Sequence, residues 1–157
     1  MNQRFRVTFF SVLITTLVSL GIGGFALQDS HSAAIRQVDS RLNFVIQTAL
    51  QNQRDLLNAA LFALDAGRID ASVLLVTPRG EQISLTEASQ RFAVDASVKN
   101  ITTSVVRAIS INTENPYRMR SIPLPEKEFL VVAISTADLE RDWRQNIARL
   151  LAFLFFA

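Results

Sequence analysis

The chain has 157 residues, with 16 Lys and Arg against 14 Asp and Glu, a single histidine and no cysteine. That length leaves room for one modest folded domain beside any membrane segment, and the missing cysteines exclude disulfides, thiolate nucleophiles and cysteine-ligated zinc or iron–sulfur centres. Residues 28–144 carry 13 basic against 14 acidic side chains, and the excess positive charge falls on Arg4, Arg6 and Arg149, beside apolar ends where cations meet lipid head groups, so no nucleic-acid partner is expected.

Residues 7–27 (VTFFSVLITTLVSLGIGGFAL) run for 21 positions without a charge. As a helix they measure about 32 Å, enough to cross a hydrocarbon core of about 30 Å. The stretch exceeds the apolar region of a secretory signal, which favours an uncleaved anchor over a signal peptide despite the small residues Gly24 and Ala26 near its end. Arg4 and Arg6 place residues 1–6 as a cytoplasmic stub and send Gln28 outside, across the inner membrane. Thr15, Ser19 and Gly23 recur at every fourth position, a small-residue ridge along which a second helix can approach closely in lipid; ordinary small residues on a lipid-facing helix make the alternative.

Residues 30–66 lack proline and glycine and repeat apolar residues at helical spacing, which predicts one long helix stopped at Gly67. One heptad register collects Ile35, Val38, Leu42, Val45, Ala49, Asn52, Leu56, Ala59 and Ala63, a seam fit to pair two subunits, while a second stripe of Ile46, Leu50, Leu57, Leu61 and Leu64 covers a sheet. Both stripes buried in a single monomeric core is the competing arrangement. A homodimer through this external helix is the expectation.

The segment 71–84 sets an apolar β-branched run on each side of a turn at Pro78 to Gly80, which predicts strand, turn and strand. Residues 86–92 and 97–109 read as short helices or an irregular connection, the second with a stripe of Val98, Ile101, Val105 and Ile109, although the β-branched end at 105–111 also suits a strand. Strands are predicted at 117–124 and 129–135, separated by a charged turn at 125–128. The second of these is apolar on both faces, as a central strand would be. Ser135 and Asp138 make a capping-box-like start for a last helix over residues 136–157, amphipathic at first and greasy afterwards. Trp143 sits where an interfacial aromatic would, Arg149 can snorkel, and residues 147–157 begin a second crossing of which only about 16 Å is present, so the chain is read as truncated there. The extracytoplasmic domain is thus placed at residues 28–146.

The fold class expected is α+β: a long transmembrane and external helix, a small antiparallel sheet and a C-terminal helix entering the membrane. The anchor, the long helix, the hairpin at 73–80 (VLLVTPRG), then 117–124 (YRMRSIPL) and 129–135 (FLVVAIS) running into the last helix together resemble the input half of bacterial sensor histidine kinases. The resemblance implies a PAS-like or PDC-like sensor domain, with a cytoplasmic kinase and its response regulator as output partners. The same order is similar to the front end of chemoreceptors and membrane-bound cyclases. A membrane-tethered binding or assembly protein without a kinase is the competing class.

Nothing in the sequence supplies catalysis. His31 lacks companion ligands and is read as a solvated residue at a helix start, so no metal and no cofactor are expected. No G-x-S-x-G, H-E-x-x-H, phosphate-binding glycine loop or phospho-accepting histidine motif occurs. The polar pair singled out is Arg118 and Arg120, which share a face if their segment is a strand and suit a carboxylate or phosphate-bearing ligand; a basic edge strand that resists aggregation is the plainer alternative.

Overall fold

The computed structural model describes residues 3–52, 55–94, 106–110, 115–124 and 127–156. They form an α+β chain that divides into two compact units, one made of Met1–Ala34 with Asp138–Ala157 and the other of Ile35–Ala137.

Helix α1 (Gln3–Gln51) belongs to both units. Its window of highest mean hydropathy, 2.0, is long and apolar enough to cross a membrane, and none of that window is buried inside the protein. A helix in the core of a soluble protein would be mostly covered, whereas Phe9, Leu17, Ile22 and Phe25 are exposed.

The long helix expected over 30–66 is in fact two helices. α1 closes at Gln51, and α2 (Leu56–Ala66) begins after Asp55, whose carboxylate accepts from the backbone N–H of Asn58 at 3.2 Å and from its side-chain amide at 2.6 Å. An N-cap of this kind satisfies orphan donors and starts a new helix where periodicity alone saw continuity. At the other end, the N–H of Ile69 reaches the carbonyl of Leu64 and that of Arg68 the carbonyl of Asp65. This Schellman closure puts Arg68, not Gly67, in the left-handed conformation, at φ 47°. Gly67 matters for a different reason: a Cβ there would lie 2.9 Å from the Ile69 side chain and 3.0 Å from the Ala63 carbonyl.

In the second unit a five-stranded antiparallel sheet has the order β2-β1-β5-β4-β3. β1 (Ser72–Val76) and β2 (Gln82–Ser84) form the predicted hairpin, with Gly80 at φ 87° in its turn. β3 (Val106–Ile109) resolves the helix-or-strand ambiguity in favour of strand at that end; Val98, Ile101 and Val105 lie outside the described residues. β4 (Pro116–Pro123) and β5 (Phe129–Ser135) match the predicted strands closely. β5 sits at the centre of the sheet, and Leu130, Val131, Val132, Ala133 and Ile134 are all buried, as an apolar run on both faces requires.

The ladder assigns the two faces of the sheet. Leu74, Val131, Ala133, Met119 and Tyr117 share one face, where Phe92 and Val94 close over them into a core. Val73, Leu130, Val132, Arg118 and Arg120 share the other, where residues 35–51 of α1 lie. The heptad seam is used there: Val38, Leu42, Val45 and Ala49 are buried within this chain, so these four side chains do not present the free intersubunit face expected of them. The sequence could not distinguish a helical stripe facing a second helix from one facing a sheet, since both ask for the same spacing.

In the first unit α3 (Ala137–Phe156) runs beside the early part of α1. Its capping differs from the expected box: Asp138 pairs with Arg141 at 3.2 Å, and Ser135 Oγ accepts from the N–H of Ala137 at 3.3 Å. Thr136 is drawn instead into the sheet, its N–H and hydroxyl both donating to the Pro116 carbonyl at 2.9 and 3.2 Å. His31 is no solvated helix start but a mid-helix residue stacked on Trp143, with ring centroids 4.8 Å apart. Of the small-residue ridge, Gly23 is packed closely: a Cβ there would meet the Leu150 side chain at 3.1 Å.

Candidate functional site

Arg118 and Arg120 do share a strand face, but the structure turns both toward α1. Arg118 Nε donates to Asp39 Oδ1 at 2.7 Å and its Nη2 to Asp39 Oδ2, a two-pronged pair whose side chains are 20 % and 26 % exposed. Arg120 Nη1 donates to Asn43 Oδ1 at 2.8 Å. A guanidinium already engaged edge-on by a carboxylate has spent the geometry that a ligand carboxylate or phosphate would need. The pair therefore ties helix to sheet, and the candidate site lies on the opposite face.

There, Ser72 on β1, Tyr117 on β4 and Ser135 on β5 line one wall of a cleft of about 580 Å³, a size suited to a small molecule. Tyr117 and Ser135 stand directly opposite each other in the β4–β5 ladder. The other wall comes from Asp70 and from the 3₁₀ turn Glu87–Arg91, which contributes Glu87, Ala88 and Gln90.

That turn is held in place by local polar chemistry. Thr86 Oγ1 donates to the Ala71 carbonyl at 3.0 Å and accepts from the N–H of Val73 at 3.1 Å, while Ser72 Oγ donates to the Ala88 carbonyl at 3.0 Å. The N–H of Thr86 donates back to Ser89 Oγ at 3.2 Å. Three of these bonds pin an otherwise short and weak element against the start of β1 and the fourth braces it internally, so the cleft wall is preorganised.

The lining is unusual in its partners. Tyr117 is only 6 % exposed, and its ring lies 4.5 Å from that of Phe92, yet its hydroxyl bonds to none of the described residues. A buried phenol normally finds a partner. Asp70 and Glu87 are exposed carboxylates with no ion pair among the described residues, and no Lys or Arg stands among the described residues that line the cleft. The described residues contain no group of three or more His, Cys, Asp or Glu able to hold a metal ion.

Sequence reasoning missed this site. Asp70, Glu87 and Tyr117 are scattered over three separate segments, and only the antiparallel register of β4 with β5 and the folding back of the 3₁₀ turn brings them together. The single available signal was Tyr117, an aromatic with a polar tip at the start of a strand. Comparison with known proteins adds no name: no family model, no curated protein and no solved structure matches the chain.

Proposed function

We propose that this chain is the sensing input of a transmembrane receptor of the two-component histidine-kinase type, with a sheet of the PAS or PDC kind. In this reading residues 7–27 anchor it in a bacterial inner membrane, its N-terminus is cytoplasmic and its sheet domain is outside. The observation that carries the reading is the division of labour between the faces of the sheet: one is sealed by α1 and clamped by Arg118 and Asp39, while the other keeps a polar cleft lined by a buried Tyr117 whose hydroxyl bonds to none of the described residues.

A receptor needs such a cleft joined to something that moves. Only Thr136 separates β5, which lines the cleft through Ser135, from the first residue of α3. Filling the cleft would bias β5, and through it the packing of Leu150 on Gly23, where close approach leaves little slack. Receptor helices pass signals by small shifts of this order.

The chain has no cysteine, so single introduced cysteines report without background. With Arg79→Cys in the hairpin turn and Gln3→Cys at the N-terminus, a membrane-impermeant maleimide should label the first in intact spheroplasts and the second only after lysis. Equal labelling of both, or the reverse order, overturns the topology. A Gly23→Cys, Leu150→Cys pair should then crosslink, with a yield that changes when small amines or organic acids are added. A yield that responds to none of them favours a tethered binding protein over a signalling one.

A further inference from the structure

We infer that the cleft between β1, β4, β5 and the 3₁₀ turn binds a small organic cation carrying a primary ammonium group. The inference rests on reading the chain as a sensing module and gives its stimulus a chemistry. Asp70 and Glu87 supply two carboxylates that have no ion pair among the described residues, in a cleft whose described lining holds no cationic side chain. An ammonium group is a compact three-donor charge, and charge-assisted hydrogen bonds to carboxylates are about twice as strong as neutral ones.

Tyr117 provides the second, independent observation. Its phenol is more than nine-tenths buried, lines the cleft and is hydrogen-bonded to none of the described residues. Leaving a buried hydroxyl unpaired is costly, and a ligand atom at that position removes the cost. The ring and the Ala88 side chain offer apolar surface to the carbon skeleton of the ligand, and the Gln90 amide offers a further donor and acceptor.

The chemistry separates this ligand from its competitors. An anion would face two carboxylates with no guanidinium among the described lining residues, since Arg118 is engaged with Asp39 on the opposite face. Calcium takes six to eight oxygens in a cage, and two carboxylates on separate elements fall short of that. An ammonium needs only the groups present.

The test is isothermal calorimetry on the full chain in lipid nanodiscs, titrated in turn with 1-aminobutane, 1,4-diaminobutane, butanoate and calcium chloride. Saturable heat is expected for the two amines and none for butanoate or calcium. The double variant Asp70→Asn, Glu87→Gln should weaken amine binding about tenfold or more, the scale of a lost charge-assisted pair. Tyr117→Phe should weaken it about threefold to tenfold. Asp70 and Glu87 are exposed, so the double variant keeps the fold if Tyr117→Phe does not, and far-ultraviolet circular dichroism checks both. Absence of amine heat with folded protein overturns the inference, as does equal affinity in the double variant, or binding of butanoate or calcium instead. Maleimide accessibility of Arg79→Cys in intact spheroplasts is independent of cleft occupancy, so failure of the ligand assignment leaves the topology reading intact.

Discussion

Arg118 on β4 and Asp39 on α1, 79 residues apart in sequence, meet through two N–H···O bonds on the face of the sheet away from the cleft. Because both side chains are partly shielded, removing either one leaves a charge poorly solvated. Arg118→Ala or Asp39→Ala should each destabilise the sheet domain by about 1–2 kcal/mol, between the values for exposed and buried pairs. Urea unfolding followed by circular dichroism measures it, and the double variant should cost less than the sum of the two singles.

Leu42 is fully buried on the same helix whereas Phe44, two residues on, is 53 % exposed. Leu42→Ala should therefore cost about 2–5 kcal/mol and Phe44→Ala less than about 0.5 kcal/mol. If α1 instead paired two subunits through the seam, the Leu42 variant would shift oligomeric state while leaving the stability of the sheet domain alone. Unfolding and light scattering on the same samples distinguish these results.

Arg68 occupies the left-handed position that closes α2, and Gly67 beside it has no room for a Cβ. Arg68→Gly relieves backbone strain at the price of a more flexible unfolded chain, for a net gain of about 0.5 kcal/mol. Gly67→Ala should destabilise by about 1 kcal/mol or more, since the Ala63 carbonyl is part of the helix and cannot step aside. Thermal midpoints moving in opposite directions for these adjacent substitutions would verify the geometry.

Trp143 is the only tryptophan in the chain, so its emission reads the stack with His31 directly. His31→Ala should change both intensity and wavelength maximum, while Asp39→Ala should leave them unchanged. An emission spectrum indifferent to His31 removes the stacking contact.

Much of the fold was legible because β5 announces itself: six consecutive apolar residues between a charged turn and a helix have few other homes. The hairpin at Pro78 to Gly80 was equally plain, since turn chemistry is local. The helix break at Asp55 escaped, because an N-cap inside an apolar repeat leaves the periodicity nearly intact. The arginine pair was found as a face but misread as a site. A sequence shows that two arginines align; it does not show that Asp39 waits opposite. The cleft escaped altogether, since its residues come from segments whose spacing carries no pattern.

The central place of β5 also bears on how the chain is made. β1 with β2, and β3 with β4, are neighbours that can zip as they leave the ribosome, but both pairs are joined only by the strand synthesised last. Until residue 135 has emerged, two hairpins stand apart with their inner edges open, and those edges are the surfaces most prone to wrong partners. Production of this protein is therefore most vulnerable in the interval before β5 arrives, and charge or proline introduced along β5 would leave two hairpins with no strand to join them.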